Sequence, residues 1–156
     1  MQEYEYSFKV KSINPYITYC KDNGYRTVSV IEQNRVVYEN KNNKNLIARM
    51  TTIKKNGKQK TVLDFKNVET SQKQLKVSTE SIPLNVTSRN KKSIDDMLEI
   101  LGFYIAANNL RVRYVYQKGK VTFEIDDYIE PKMQVVAIEG EKEHVDSVYL
   151  DVKSYE

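Results

Sequence analysis

The stretch EYEYSFKV, residues 3–10, sets Glu3, Glu5, Ser7 and Lys9 at every second position and Tyr4, Tyr6, Phe8 and Val10 between them. A period of two is that of a β-strand, whose successive side chains point to opposite faces. One face of this strand is therefore charged and the other apolar. An antiparallel sheet with one face in water produces such a pattern. So does a closed barrel whose lumen is polar and whose outer surface is covered by helices.

The same alternation or β-rich composition returns along the chain, in TVSVIEQNRVVYE (27–39), NLIARMTTIKK (45–55), QKTVLDFKNV (59–68), LNVTSR (84–89), LRVRYVYQ (110–117), KVTFEIDDY (120–128), MQVVAIEGE (133–141) and SVYLDVKSY (147–155). Asn56-Gly57 and the Gly119 of QKGKV read as hairpin turns, so consecutive strands pair antiparallel. ENKNNKN (39–45) reads as a loop. Two segments have helical period instead. Asn14 as cap, Pro15 as first helical residue and Gly24 as stop frame a short helix carrying Ile17 and Cys20 on one face. Ser93 and Asp96 form a capping pattern, followed by Ile94, Met97, Leu98 and Leu101, with Gly102 as the stop. The expected fold is mainly β (α+β): an eight-stranded antiparallel closed barrel with two or more helices packed outside, as a single domain over residues 1–156.

Composition agrees. The chain has 156 residues, 40% hydrophobic and 29% charged, which suits one globular domain able to bury a core without disulfides. No apolar run is long enough for a membrane helix, and the first residues do not resemble a secretory signal. A single cysteine, Cys20, cannot form an internal disulfide and favours a reducing, cytoplasmic compartment. A net charge of +4 permits an anionic ligand but does not point to duplex DNA.

Strand parity sorts the charges. Ile47, Arg49 and Thr51 share a face, as do Val62, Asp64 and Lys66; Arg111 and Arg113; Thr122, Glu124 and Asp126; and Ala137, Glu139 and Glu141. If these faces converge in a lumen, arginines and lysines there can neutralise a triphosphate, and clustered carboxylates can hold Mg2+ or Mn2+, hard cations that take oxygen ligands.

Six motifs in this order resemble the CYTH family, the triphosphate tunnel metalloenzymes, which includes class IV adenylate cyclases and thiamine triphosphatases. EYEYS resembles the family's opening E-x-E-x-K through Glu3 and Glu5, with Ser7 at the lysine position and Lys9 next on the same face. LIAR resembles L-R-I-R, with Arg49 as second arginine and Ile47 in place of the first, or, two residues on, Arg49 as first and Thr51 in place of the second. LDFK resembles L-T-L-K and keeps Lys66. After LGF, the run LRVRYVYQKGKVTFEIDDY resembles the family's basic strand and the V-x-I-x-L-D strand, supplying Arg111, Arg113 and Asp126. VVAIEG resembles E-I-E-G, with Glu139 retained and Ala137 at the other glutamate.

The resemblance implies a metal-dependent phosphorus-transfer enzyme that hydrolyses inorganic triphosphate, a nucleoside triphosphate or thiamine triphosphate. Its implied metal ligands are Glu3, Glu5, Asp126 and Glu139 for Mg2+ or Mn2+; its phosphate-binding residues are Lys9, Arg49, Lys66, Arg111 and Arg113; Glu5, Lys66 and Arg113 carry the catalytic roles. Cyclisation of ATP is an alternative in the same tunnel. A tunnel that binds a nucleotide or polyphosphate without turnover is another, motivated by Ser7, Ile47 and Ala137. RVRYVYQK, with Tyr114 and Tyr116 beside arginines, alone suggests an RNA-binding barrel, a reading less favoured than tyrosines packed between barrel and helices. His144 reads as a solvated turn or edge residue and Cys20 as a small buried one. The expected partner is a small-molecule triphosphate or nucleotide, with no membrane; the oligomeric state stays open.

Overall fold

A computed structural model describes residues 2–72 and 75–156. These residues form nine strands, β1 (Gln2–Lys9), β2 (Arg26–Asn40), β3 (Leu46–Lys55), β4 (Lys58–Gln72), β5 (Leu75–Glu80), β6 (Leu84–Val86), β7 (Phe103–Lys118), β8 (Val121–Glu130) and β9 (Met133–Gly140). Three α-helices accompany them, α1 (Asn14–Asp22), α2 (Lys91–Ile100) and α3 (Lys142–Val152). The strands run in the order β3-β2-β7-β8-β9-β1-β5-β4, and β3 pairs back onto β4, which closes an eight-stranded antiparallel barrel. The short β6 adds to β4 outside that ring.

Both expected hairpins are present. Asn56 and Gly57, at φ 53° and 74°, give the two left-handed positions that match the twist of β3 and β4. Gly119, at φ 58°, turns β7 into β8, with Lys118 opposite Val121. The main apolar core lies outside the barrel. Phe8, Phe123, Ile125, Val136 and Ile138 project outward from the strands and are sealed by Tyr16 and Cys20 of α1 and by Val145, Tyr149 and Val152 of α3. A second cluster packs Ile94 and Leu98 of α2 onto Tyr38, Met50, Leu63 and Phe103. Among the described residues no helix is long and apolar enough to cross a membrane.

Several boundaries differ from the sequence reading. SVYLDVKSY is not a strand: residues 142–152 are helical, and a 3-10 turn follows over Lys153–Tyr155. Its buried residues, Val145, Tyr149 and Val152, recur at a spacing of four and three, the helical period, whereas the apparent alternation began too late to include Val145. LKVSTE, not anticipated as a strand, is β5, which closes the gap between β1 and β4. LNVTSR is extended only to Val86, and β7 begins at Phe103, where it pairs with Asn40 of a long β2. Helix α2 starts at Lys91, before Ser93; Lys91–Asp95 and Lys92–Asp96 ion pairs one turn apart support its first turns.

Candidate functional site

Closure turns one face of every strand toward a common axis. Glu5 of β1 lies opposite Glu139 of β9 on one side and Lys76 of β5 on the other; Ser7 faces Ala137; Arg113 of β7 faces Asp126 of β8; Arg49 of β3 faces Asp64 of β4; and Lys66 of β4 faces Glu80 of β5. Glu5, Lys66, Arg111, Arg113 and Asp126 are all buried. Ionised groups survive burial only with partners, and here they have them.

At one level of the lumen one carboxylate oxygen from each of Glu3, Glu5 and Glu139 lies within 4.8 Å of the other two. Burial, together with hydrogen bonding to Glu80, pushes the Glu3 carboxyl up to about 7. Burial and the neighbouring Glu124 likewise raise Glu139 well above the carboxylate range. The partners behave oppositely. Burial works against ionised Glu124, but Arg113 outweighs it and holds the carboxyl down to about 2. Glu80, also opposed by burial, is lowered by its hydrogen bond with Glu3 and by Arg49 and Lys66. Each acid pair is thus split: the member that belongs to the three-carboxylate cluster is shifted toward its protonated form, and its partner toward the carboxylate. A divalent cation replaces such protons readily, because it supplies the positive charge that three crowded carboxyls lack and because carboxylate oxygens are its preferred ligands. The all-oxygen donor set fits a hard divalent cation.

The bases stand beside this cluster. Lys66 Nζ donates to Glu5 Oε2 at 3.2 Å and lies 3.7 Å from Glu80. Arg49 donates to both oxygens of Asp64 and, at 2.8 Å, to Glu80. Arg113 clasps Asp126 through Nε and Nη2 at 2.7 and 2.9 Å and reaches Glu124 through Nη1 at 2.7 Å. Burial opposes charge on Arg113, yet Glu124 and Asp126 raise its pKa. Arg111 donates to Gln33 through Nε and to Tyr128 through Nη1, and lies 3.5 Å from Asp126. A cavity of about 450 Å³ reaches Glu3, Thr122 and Glu139; a second, of about 390 Å³, reaches Arg49, Lys66 and Arg111.

Of the residues singled out from sequence, Glu3, Glu5 and Glu139 meet in the cluster, and Arg49, Lys66, Arg111 and Arg113 meet in the lumen. Asp126 stands outside the three-carboxylate cluster, both its oxygens taken by Arg113. Lys9 is exposed at the end of β1, and Glu141 lies beyond β9, bonded to Lys120 at 2.7 Å on the surface. His144 is exposed on α3, 3.5 Å from Glu141. Cys20 is fully buried, which pushes its thiol up to about 12. Tyr116 is buried and Tyr114 packs against the same outer core, so these rings face the helices. Sequence reasoning passed over Gln33 and Arg35 on β2, Lys76, Ser78 and Glu80 on β5, and Tyr128. Period two in EQNRV and LKVSTE was the available signal.

No protein-family model matches the sequence, and no curated protein matches it. Solved structures do. A conserved hypothetical protein of Pyrococcus furiosus superposes with a TM-score of 0.74 at 22% identity, covering 94% of this chain and 88% of that one. A Hippeastrum protein studied as a candidate adenylyl cyclase and described by a dominant triphosphatase activity gives 0.64 at 13% identity, over 98% and 87% of the two chains. A chain of the Schizosaccharomyces pombe Mediator head module gives 0.67 at 10% identity, over 99% and 96%. At these identities the likeness is one of fold: the chain shares its closed antiparallel barrel with these structures.

Proposed function

We propose that the lumen binds a triphosphate-bearing molecule together with Mg2+ or Mn2+ and hydrolyses its terminal phosphoryl group. The observation that supports this most is the enclosure of three mutually close carboxyls, Glu3, Glu5 and Glu139, beside Arg49, Lys66, Arg111 and Arg113 in one lumen. When bound at Glu3, Glu5 and Glu139, the cation supplies charge neutralisation and Lewis acidity for phosphoryl transfer. The chain's own groups do the rest. Arg49 and Lys66, now shared among Asp64, Glu80 and Glu5, can pass donors to phosphate oxygens while the carboxylates keep them oriented. Arg113, fixed by three hydrogen bonds to Asp126 and Glu124, is held in place for its remaining N–H groups to meet a phosphate oxygen without rearranging, as a loose, charge-spread transition state requires.

A second reading is binding without turnover. Arg49 and Arg113 are already neutralised by the chain's own acids, and the lumen carries Ser7 and Ala137 facing each other where further charged groups would fit. The fold's presence in a Mediator head module chain is compatible with such a role.

One experiment separates them. The protein is incubated with inorganic triphosphate, ATP or thiamine triphosphate plus Mg2+ or Mn2+, and phosphate, pyrophosphate and cyclic AMP are measured. Hydrolysis predicts phosphate release that stops with EDTA and falls by about a hundredfold or more in Glu5→Ala. Cyclic AMP with pyrophosphate redirects the assignment to cyclisation. Ligand-induced thermal stabilisation with no product establishes the binding tunnel.

A further inference from the structure

The strands that enclose the lumen also carry a groove on their outer side. Arg35 and Val37 of β2 line the lumen, so Asn34, Val36 and Tyr38 point the opposite way. They open into an outer cavity of about 470 Å³, closed at one end by the segment that leads into α2. Val36, Met50, Val86 and Ile105 give this groove apolar walls, and Ile105 is 65% exposed. No carboxylate is among its described lining residues.

The α2 end of the groove lacks acceptors. Asn90 stands where a side-chain cap belongs, but its side chain accepts from the Thr87 N–H and donates to the Asn85 carbonyl instead. The backbone N–H groups of Lys92 and Ser93 are thus left without a partner among the described residues. The first turn carries Lys91 and Lys92 and no acid, so nothing offsets the positive end of the helix dipole. Lys91 is paired with Asp95, but both side chains are nearly half exposed, and such a pair shares its charge with a newcomer at little cost. Tyr38 points to the same place independently. It is 8% exposed, it lines the groove within the field of Lys91, and its hydroxyl has no hydrogen-bond partner among the described residues. Buried tyrosine hydroxyls ordinarily find one. Burial raises its pKa, so the hydroxyl keeps its proton and stands as a donor. Away from α2, Thr52 and Thr61 bond each other at 2.9 Å and need no ligand.

We propose that this outer groove binds a small amphipathic carboxylate, its apolar body against Val36, Met50, Val86 and Ile105 and its carboxylate accepting from the Tyr38 hydroxyl and the free N–H groups that begin α2. A single negative charge matches what that end offers: one shared lysine, one hydroxyl and a helix terminus. The site lies on the far side of β2 from the lumen and uses none of the tunnel's charged groups, so it stands whether or not the tunnel takes a triphosphate.

The test is titration of the isotope-labelled full chain with sodium octanoate, followed by backbone amide NMR shifts, with 1-octanol as a neutral probe of equal chain length. Wild type, Tyr38→Phe and Ile105→Ser are compared, with melting curves of each ligand-free protein. In wild type, octanoate moves the Lys92 and Ser93 amide signals and octanol does not. Tyr38→Phe, which keeps the ring and removes one donor, binds octanoate about three- to tenfold more weakly with an unchanged ligand-free Tm. Ile105→Ser, which shortens an exposed wall residue, binds about threefold or more weakly. Unchanged affinity in Tyr38→Phe overturns the carboxylate end, and so does an equal response to octanol, which marks a purely apolar groove. A ligand-free Tm well below wild type in Tyr38→Phe shows that the hydroxyl already has a structural partner and overturns it too. Absence of any octanoate response at millimolar concentration, or shifts confined to the lumen around Lys66 and Arg113, overturns the site altogether and leaves the triphosphate reading untouched.

Discussion

Asp126 is 3% exposed and faces two arginines, accepting both of its short bonds from Arg113 and lying 3.5 Å from Arg111. Removing one partner of a buried pair leaves the other charge unpaired, the costliest way to break it. Asp126→Ala should therefore lose about 3–5 kcal/mol in urea unfolding; a loss below about 1 kcal/mol would mean that Glu124 alone suffices for Arg113. Glu3 gives a pH dependence of known sign. Its folded pKa of about 7 exceeds the ordinary glutamate value of 4.5, so between those values the folded chain binds more protons than the unfolded one. Stability from this group is fully present below about 4.5 and is lost as pH rises through about 7. Glu139 shifts in the same direction, while Glu80 and Glu124 are lowered and titrate below this window. Melting in EDTA from pH 5 to 8 should show Tm falling; a Tm that rises or stays level across this range contradicts the upward shifts of Glu3 and Glu139.

At the scale of elements, the end of β9 is set by Gly140. Its φ is 149°, and a Cβ there would sit 2.3 Å from the Lys120 carbonyl oxygen, a backbone atom that cannot swing aside. Gly140→Ala should cost about 2 kcal/mol or more, read by thermal or urea unfolding. It should also weaken Mn2+ binding, because Glu139 is the adjacent residue. What could be read from sequence follows from the same local rules. β1, β3, β4 and β8 are legible because polar and apolar residues alternate over much of their length, and their inward sets, Glu3 and Glu5, Arg49, Lys66 and Asp126, come with them. β5 did not, because it follows a polar run and its outward residues, Leu75, Val77 and Thr79, are too few and too mixed to stand out. Arg35 was hidden in a strand whose Val36 and Val37 break the alternation. Helix α3 was mistaken because a few valines and tyrosines at short spacing fit a strand locally; only burial from Val145 to Val152 reveals the helical period. The hydrogen bond between Glu3 and Glu80 joins β1 to β5, which are far apart in sequence, and that between Glu139 and Glu124 crosses the β8–β9 pair, so neither is encoded in the pattern of one strand.

For the whole molecule, the acid cluster and the basic cavity predict linked responses to metal and proton. Ion binding at Glu3, Glu5 and Glu139 must displace protons, so the gain in Tm on adding Mn2+ should be larger at pH 8 than at pH 5, with proton release measurable in a weakly buffered titration. An equal gain at both pH values would place the ion elsewhere. The tunnel's interior holds its charges while the packing that stabilises the fold lies beneath α1, α2 and α3. The two sets of side chains share each backbone but occupy opposite sides of it. A lineage can therefore redraft the chamber at alternate positions, exchanging lysine for serine or glutamate for alanine, without disturbing the hydrophobic jacket. A barrel arranged this way tolerates drift in what it holds far better than drift in what holds it.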